Sequence, residues 1–155
     1  MIIYTVSNAF LNKLFARGSS DPTIPTSSEC WIGMSTTVPN IDENSESQTY
    51  GKILNFTEPA SSTGYRRSRL GIQGNEVTYI MDAAKNGSIT NGKNFIFFDE
   101  ATVGGGGFGE LKWFGLFSGS SGGAPVLAGE LTTPVTVPAG NVLIFRPNNL
   151  TVSME

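Results

Sequence analysis

Large apolar residues recur along this chain at two different spacings. Between Ser7 and Arg17 they fall at Phe10, Leu11, Leu14 and Phe15, the i, i+1, i+4, i+5 pattern that lines one face of a helix. Ser7 suits the N-cap, Lys13 and Arg17 suit the C-terminal end, and Gly18 can take the left-handed conformation that stops a helix. The pattern predicts one short N-terminal α-helix over about 7–17. A helix of about three turns is marginal alone, so its apolar side chains need a surface, either the domain's own sheets or a neighbouring subunit. Phe10, Leu11, Leu14 and Phe15 are therefore the candidate assembly face.

After a turn-rich stretch from Gly18 to Glu29, the apolar residues come in short runs separated by Gly, Pro, Asn and Ser, which is how strands and tight turns are written. Cys30 to Met34 reads as a buried strand. Residues of about 40–56 turn polar, with Asp42, Glu43 and Glu46, and are expected to form an exposed acidic loop. Tyr65 to Leu70 is the next strand candidate; Arg66, Arg67 and Arg69 cannot all face a core, which predicts an edge strand with a charged outer surface. Val77 to Met81 and Asn94 to Phe98 follow as strands around the turn at Lys85-Asn86-Gly87.

The C-terminal third is the most regular. Glu110 to Phe117, Ala124 to Leu131, Pro134 to Val137, Asn141 to Phe145 and Leu150 to Met154 are strand candidates in close succession. In the first of them Leu111, Trp113 and Phe117 alternate with Lys112, Phe114 and Leu116, so both faces are largely apolar. A strand with that pattern is central and covered on each side. Gly115 would relieve crowding there or mark a bulge. Together these elements predict an all-β fold, a two-sheet β-sandwich of jelly-roll or immunoglobulin-like topology. A length of 155 residues suits one domain, 1–155, able to bury a core without disulfides or metals.

Composition agrees and narrows the chemistry. Nineteen Gly and eight Pro favour strands and turns over helix bundles. A net charge of −3 offers no broad cationic field, which argues against a nucleic-acid partner. The chain contains no histidine, so a Ser-His-Asp or Cys-His mechanism has no base. The single cysteine, Cys30, has no internal disulfide partner and reads as a small buried hydrophobe. No stretch approaches the roughly 20 apolar residues of a membrane span, and the first residues lack signal-peptide character, so the chain is expected to be made and retained in the cytosol.

Two strings imitate catalytic motifs. Gly104 to Gly109 satisfies G-x-G-x-x-G but leads into a strand, whereas a dinucleotide site needs a helix N-terminus; it is expected to be a flexible loop. Gly119-Ser-Ser121-Gly-Gly123 satisfies G-x-S-x-G without the histidine that a nucleophile elbow requires, and reads as a hairpin connection. The acidic residues at 42, 43 and 46 depart from calcium-loop spacing. Asp99 and Glu100 would point to opposite faces of a strand, a poor glycosidase pair. No cofactor, metal or catalytic residue is assigned, and the chain is expected not to be an enzyme.

The succession Trp31-Ile-Gly-Met-Ser-Thr-Thr-Val-Pro39, Thr57-Glu-Pro-Ala-Ser-Ser-Thr-Gly-Tyr-Arg66, Trp113-Phe-Gly-Leu-Phe117 and Gly129-Glu-Leu-Thr-Thr-Pro-Val-Thr-Val-Pro-Ala-Gly140 resembles a family of small virion proteins of tailed bacteriophages, the tail-fibre or minor tail proteins. The resemblance covers most of the chain, with residues 40–56 standing as an insertion. It implies a non-enzymatic structural part of the virion, tail- or fibre-associated, forming a homo-oligomer and docking onto other virion proteins through the helix and one sheet face. Two alternatives stay open. One is a capsid decoration protein. The other is a carbohydrate- or receptor-binding module whose exposed aromatics, Tyr50 or Phe108, contact a host-surface glycan.

Overall fold

Strand propensity, Gly/Pro punctuation and the two-sided apolar run at 110–117 all point to sheets, and sheets are what form. The structure is a computed structural model that describes residues 29–48, 50–72 and 79–153. The helix expected over 7–17, with Phe10, Leu11, Leu14 and Phe15, lies outside the described residues. Within them the fold is all-β: β1 (Glu29–Ser35), β2 (Asn40–Ile41), β3 (Ile53–Leu54), β4 (Ser68–Ile72), β5 (Ser88–Thr90), β6 (Ile96–Phe97), β7 (Gly109–Phe117), β8 (Leu127–Val137), β9 (Ile144–Phe145) and β10 (Thr151–Ser153). A single 3-10 turn, Ser61–Thr63, is the one helical element among the described residues. The strands make one four-stranded sheet of order β4-β1-β7-β8 and three two-stranded ladders, β10-β5, β2-β3 and β6-β9.

The chain divides into two compact units, one drawn from residues 31–68 and 98–143 and the other from the described residues of 1–30, 69–97 and 144–155. In the first, β7 lies between β1 and β8 and is antiparallel to both. Its alternation is realised as expected. Phe114 and Leu116 share a face with Ile32 and Met34 of β1, and all four are buried. Phe117, Gly115 and Trp113 share the opposite face with Trp31, Gly33 and Ser35. That second face is covered by the chain's own segment from Phe56 to Arg67, a strap laid across the sheet.

Ser35 fastens one end of the strap. Its buried hydroxyl accepts hydrogen bonds from the N–H groups of Thr57 at 3.0 Å and Thr37 at 3.1 Å, while the Thr36 N–H donates to the Thr57 carbonyl at 3.1 Å. Phe56 then meets Phe117 edge-on with ring centroids 5.3 Å apart. Gly115 makes this possible: a Cβ there would sit 2.8 Å from the Phe56 ring and 2.9 Å from Pro125. The glycine therefore relieves crowding, and the irregularity in the ladder falls elsewhere. Leu111 pairs with Val135 and Trp113 with Glu130, so the extra residues lie in β8, at 131–134. The two strands expected at 124–131 and 134–137 are accordingly one strand with a bulge. Pro134 fits it, because a residue without an N–H is tolerated at a bulge or a sheet edge.

Residues 40–48 and 50–54 form a largely exposed acidic arm closed by the short β2-β3 ladder, with Asn40 opposite Leu54 and Ile41 opposite Ile53. In the other unit, Lys85 and Ser88 exchange backbone hydrogen bonds at 2.8 and 3.0 Å around Asn86 and Gly87, which have φ of 52° and 72°. Positive φ at both central positions is the twist a two-residue hairpin turn needs. The fully buried Asn91 ties this unit together. Its amide donates to the carbonyls of Asn94 at 2.6 Å and Arg146 at 2.9 Å, and its side-chain oxygen accepts from the Leu150 N–H at 3.1 Å. Three of the four bonds an Asn side chain can make are used.

Several expected strands shift or shrink. The one at Tyr65 to Leu70 starts only at Ser68, after the residues Tyr65 and Arg67 whose side chains bind Glu58, as described below. At Val77 to Met81, residues 77 and 78 lie outside the described residues, and 79–81 join no strand, although the Ile80 N–H donates to the Leu70 carbonyl at 3.0 Å. Asn94 to Phe98 and Asn141 to Phe145 contract to the two-residue β6 and β9.

Candidate functional site

The strap carries the most buried charge among the described residues. Arg67, expected on a charged outer surface, is instead 7% exposed, whereas Arg66 and Arg69 are exposed. Arg67 grips Glu58 through two parallel bonds, Nε to Oε1 at 2.9 Å and Nη2 to Oε2 at 2.7 Å, and its Nη1 donates to the Gly119 carbonyl at 2.8 Å. Its guanidinium carbon lies 3.4 Å from the centroid of the Phe117 ring. A planar cation with a forked donor set is the side chain that serves all three contacts at once. The alternation that puts Tyr65 and Arg67 on one side of the chain leaves Arg66 outward, 3.6 Å from Asp99.

Tyr65 completes the cluster. Its hydroxyl donates to Glu58 Oε1 at 3.0 Å and accepts from the Met34 N–H at 2.6 Å. Its ring stacks on Phe98 and takes Phe108 edge-on at 5.4 Å. Burial first, and the Glu58 carboxylate second, push its phenol well above the ordinary tyrosine range. The space for this knot exists because β1 has no side chain at Gly33. A Cβ there would lie 2.6 Å from Glu58 Oε1, 2.9 Å from the Phe117 ring and 3.2 Å from the Tyr65 hydroxyl.

Beside the knot lies a groove of about 440 Å³, lined by Trp31, Glu58, Pro59, Ser61, Tyr65, Arg66, Arg67, Ser120, Ser121 and Gly122. The G-x-S-x-G string at 119–123 is thus the β7-β8 connection. Its first carbonyl receives Arg67, and its serines form one rim of the groove.

The residues singled out from the sequence are scattered. Tyr50 is 59% exposed on the acidic arm. Phe108, expected as an exposed loop contact, is 3% exposed: the glycine run before it bends the chain inward, its N–H donates to the Val137 carbonyl at 2.9 Å, and its ring packs on Tyr65. The run is therefore anchored where it enters β7. Cys30 is buried, and burial pushes its thiol up to about 12. Among the described residues no group of three or more Cys, Asp or Glu is placed to hold a metal ion. A separate apolar surface does stand open: Phe95 and Phe97 stack at 5.7 Å, Ile144 lies opposite Phe97, and the three are 46%, 58% and 43% exposed.

Sequence reasoning missed the Glu58–Tyr65–Arg67 knot. One signal was present: Gly33 sits inside an otherwise apolar strand, and a strand-interior glycine marks a close approach of other groups. Gly33, Glu58, Tyr65 and Phe117 also all fall within the strings that carry the family resemblance.

These features define an all-β protein whose buried charges are spent on fastening a strap to a sheet. Comparison with protein families gives the particular group: the model for podophage GP4 fiber I protein gp80 matches residues 2–153, and the chain belongs to that family. It is a bacteriophage protein of the tail-fibre type. No curated protein matches the chain.

Proposed function

We propose that this chain is a non-enzymatic, fibre-associated component of a podophage virion that assembles as a homo-oligomer and docks onto other virion proteins. The observation that carries this reading is the family match over residues 2–153. The exposed triad Phe95, Phe97 and Ile144 supports the assembly part, since contiguous exposed apolar side chains mark contact surfaces. The apolar stripe Phe10, Leu11, Leu14 and Phe15 is the second contact surface in this proposal. Symmetric repetition of one small chain is how such components are built into particles.

Labelling the chain in intact particles tests the assignment. Density or label at the tail fibres is the expected result; label on the capsid shell would replace it with the decoration role, and absence from the particle would overturn both. For the stripe, Phe10→Asp with Leu14→Asp is expected to abolish assembly in analytical ultracentrifugation. A folded double variant that still assembles would refute the contact.

A further inference from the structure

We propose that Asn86 is a site of spontaneous covalent modification, the hydrolytic conversion of its amide to aspartate and isoaspartate, and that the fold confines this chemistry to one hairpin tip. Two asparagines of the chain precede glycine, Asn86 and Asn91. The Asn amide is a thermolabile group, and a following glycine has no Cβ to shield its backbone nitrogen from attack. As dipeptides the two pairs are equivalent. Their surroundings are not.

Asn86 is exposed, and its side chain makes no hydrogen bond among the described residues. The turn it occupies is closed by the isolated Lys85–Ser88 bridge. Ring closure onto Gly87 needs this turn to relax, and an isolated pair at an exposed tip opens at low free energy. Asn91 is fully buried, its amide donates to the carbonyls of Asn94 and Arg146, and its side-chain oxygen accepts from the Leu150 N–H. The Asp82 carboxylate occupies the place that a Cβ on Gly92 would take. Turning the Asn91 side chain onto Gly92 would break three hydrogen bonds in a dry site, so this pair reacts only when the surrounding structure opens.

Water and hydroxide are the reagents. The Gly87 N–H gives its proton to hydroxide and the nitrogen attacks Asn86 Cγ. The N–Cγ bond forms, the Cγ–Nδ2 bond breaks, and Nδ2 leaves as ammonia after taking a proton from water. Water then opens the resulting five-membered imide. Attack at Cγ gives aspartate, whereas attack at the backbone carbonyl gives isoaspartate, in which the main chain runs through Cβ and Cγ. Nothing is oxidised or reduced, and either product adds one negative charge to the net −3. Asp-Gly suits the same two-residue turn as Asn-Gly. Isoaspartate instead lengthens the backbone of a turn that holds Asn86 and Gly87 at φ of 52° and 72°, so the Lys85–Ser88 pair is lost.

The test incubates the full-length chain in warm, mildly alkaline buffer with and without urea. Peptide mapping by mass spectrometry, with aspartyl and isoaspartyl peptides separated, follows both pairs over time. In the folded protein Asn86 should convert about tenfold or more faster than Asn91, because local opening exposes one and only wider opening the other. In urea the two rates should converge. Isoaspartyl protein isolated after incubation should exchange its Lys85 and Ser88 amide hydrogens faster than fresh protein, while Asn86→Asp, which adds the charge without lengthening the backbone, should not. Equal rates at the two pairs in the folded protein, a ratio undiminished in urea, or unaltered exchange in the isoaspartyl form would each overturn the proposal.

Discussion

Glu58→Ala isolates the energetic centre of the sheet-and-strap unit. In the wild type the Arg67 side chain is 3% exposed and its charge is balanced by Glu58 at 2.7 Å. Removing the carboxylate deletes two charge-assisted bonds and leaves the Tyr65 hydroxyl without its acceptor. A hydrogen bond involving a charged group contributes about 1.5–3 kcal/mol, and breaking a buried ion pair from one side costs about 3–5 kcal/mol. Arg67 would keep the Gly119 carbonyl and the Phe117 ring, which places the expected loss near the lower end, about 3 kcal/mol. That is a large share of the roughly 5–15 kcal/mol by which domains are stable.

Arg67→Met in the Glu58→Ala background removes the stranded charge and keeps an apolar chain over Phe117, so the double variant should recover about half of the loss. Urea unfolding followed by tryptophan fluorescence measures all four corners of the cycle, and both tryptophans, Trp31 and Trp113, lie on the sheet face under the strap. A Glu58→Ala loss below about 1 kcal/mol, the level of a surface pair, would refute the argument that Arg67 is held in a dry site. So would a double variant less stable than the single one.

Three further outcomes follow from the same geometry. Gly33→Ala forces a methyl to within 2.6 Å of Glu58 Oε1 and should cost about 1–3 kcal/mol by overpacking, read as a lowered urea midpoint; an unchanged midpoint would show that the strap yields freely. Raising the pH above 9 should destabilise the protein, because the unfolded chain releases the Cys30 proton near 9.0 while the folded one holds it to about 12; stability then falls by about 1.4 kcal/mol per unit across that window. Tyr65, also shifted upward, adds to the loss above pH 10 with the same sign, and Cys30→Ala should flatten the pH 9–12 slope measured under reducing conditions. Phe97→Asp with Ile144→Asp changes two exposed side chains and should leave the melting temperature within a few degrees while lowering the assembled mass in light scattering; full assembly would exclude that face as a contact.

The sequence by itself determined the local grammar. Short apolar runs marked β1 and β7 as buried strands, and the apolar character of both β7 faces showed that each would be covered. Asn86-Gly87 specified its own turn, because the φ values required there are available to those residues. The missing histidine reduced the serine motif at 119–123 to a connection. Each of these depends on neighbours a few residues apart, so it is written where it acts.

Only the tertiary structure decided which charges are inside and what covers β7. Arg66, Arg67 and Arg69 are indistinguishable by composition, yet only Arg67 is among the buried residues. Its partners, Glu58 and Gly119, stand 9 and 52 positions away in the chain. The same holds for Phe108, which leaves the surface because Tyr65 offers its ring, and for Gly33, whose missing side chain matters only once Glu58, Phe117 and Tyr65 converge on it. Burial of a polar group is settled by whether distant partners satisfy it, and that condition is met in three dimensions, not along the sequence.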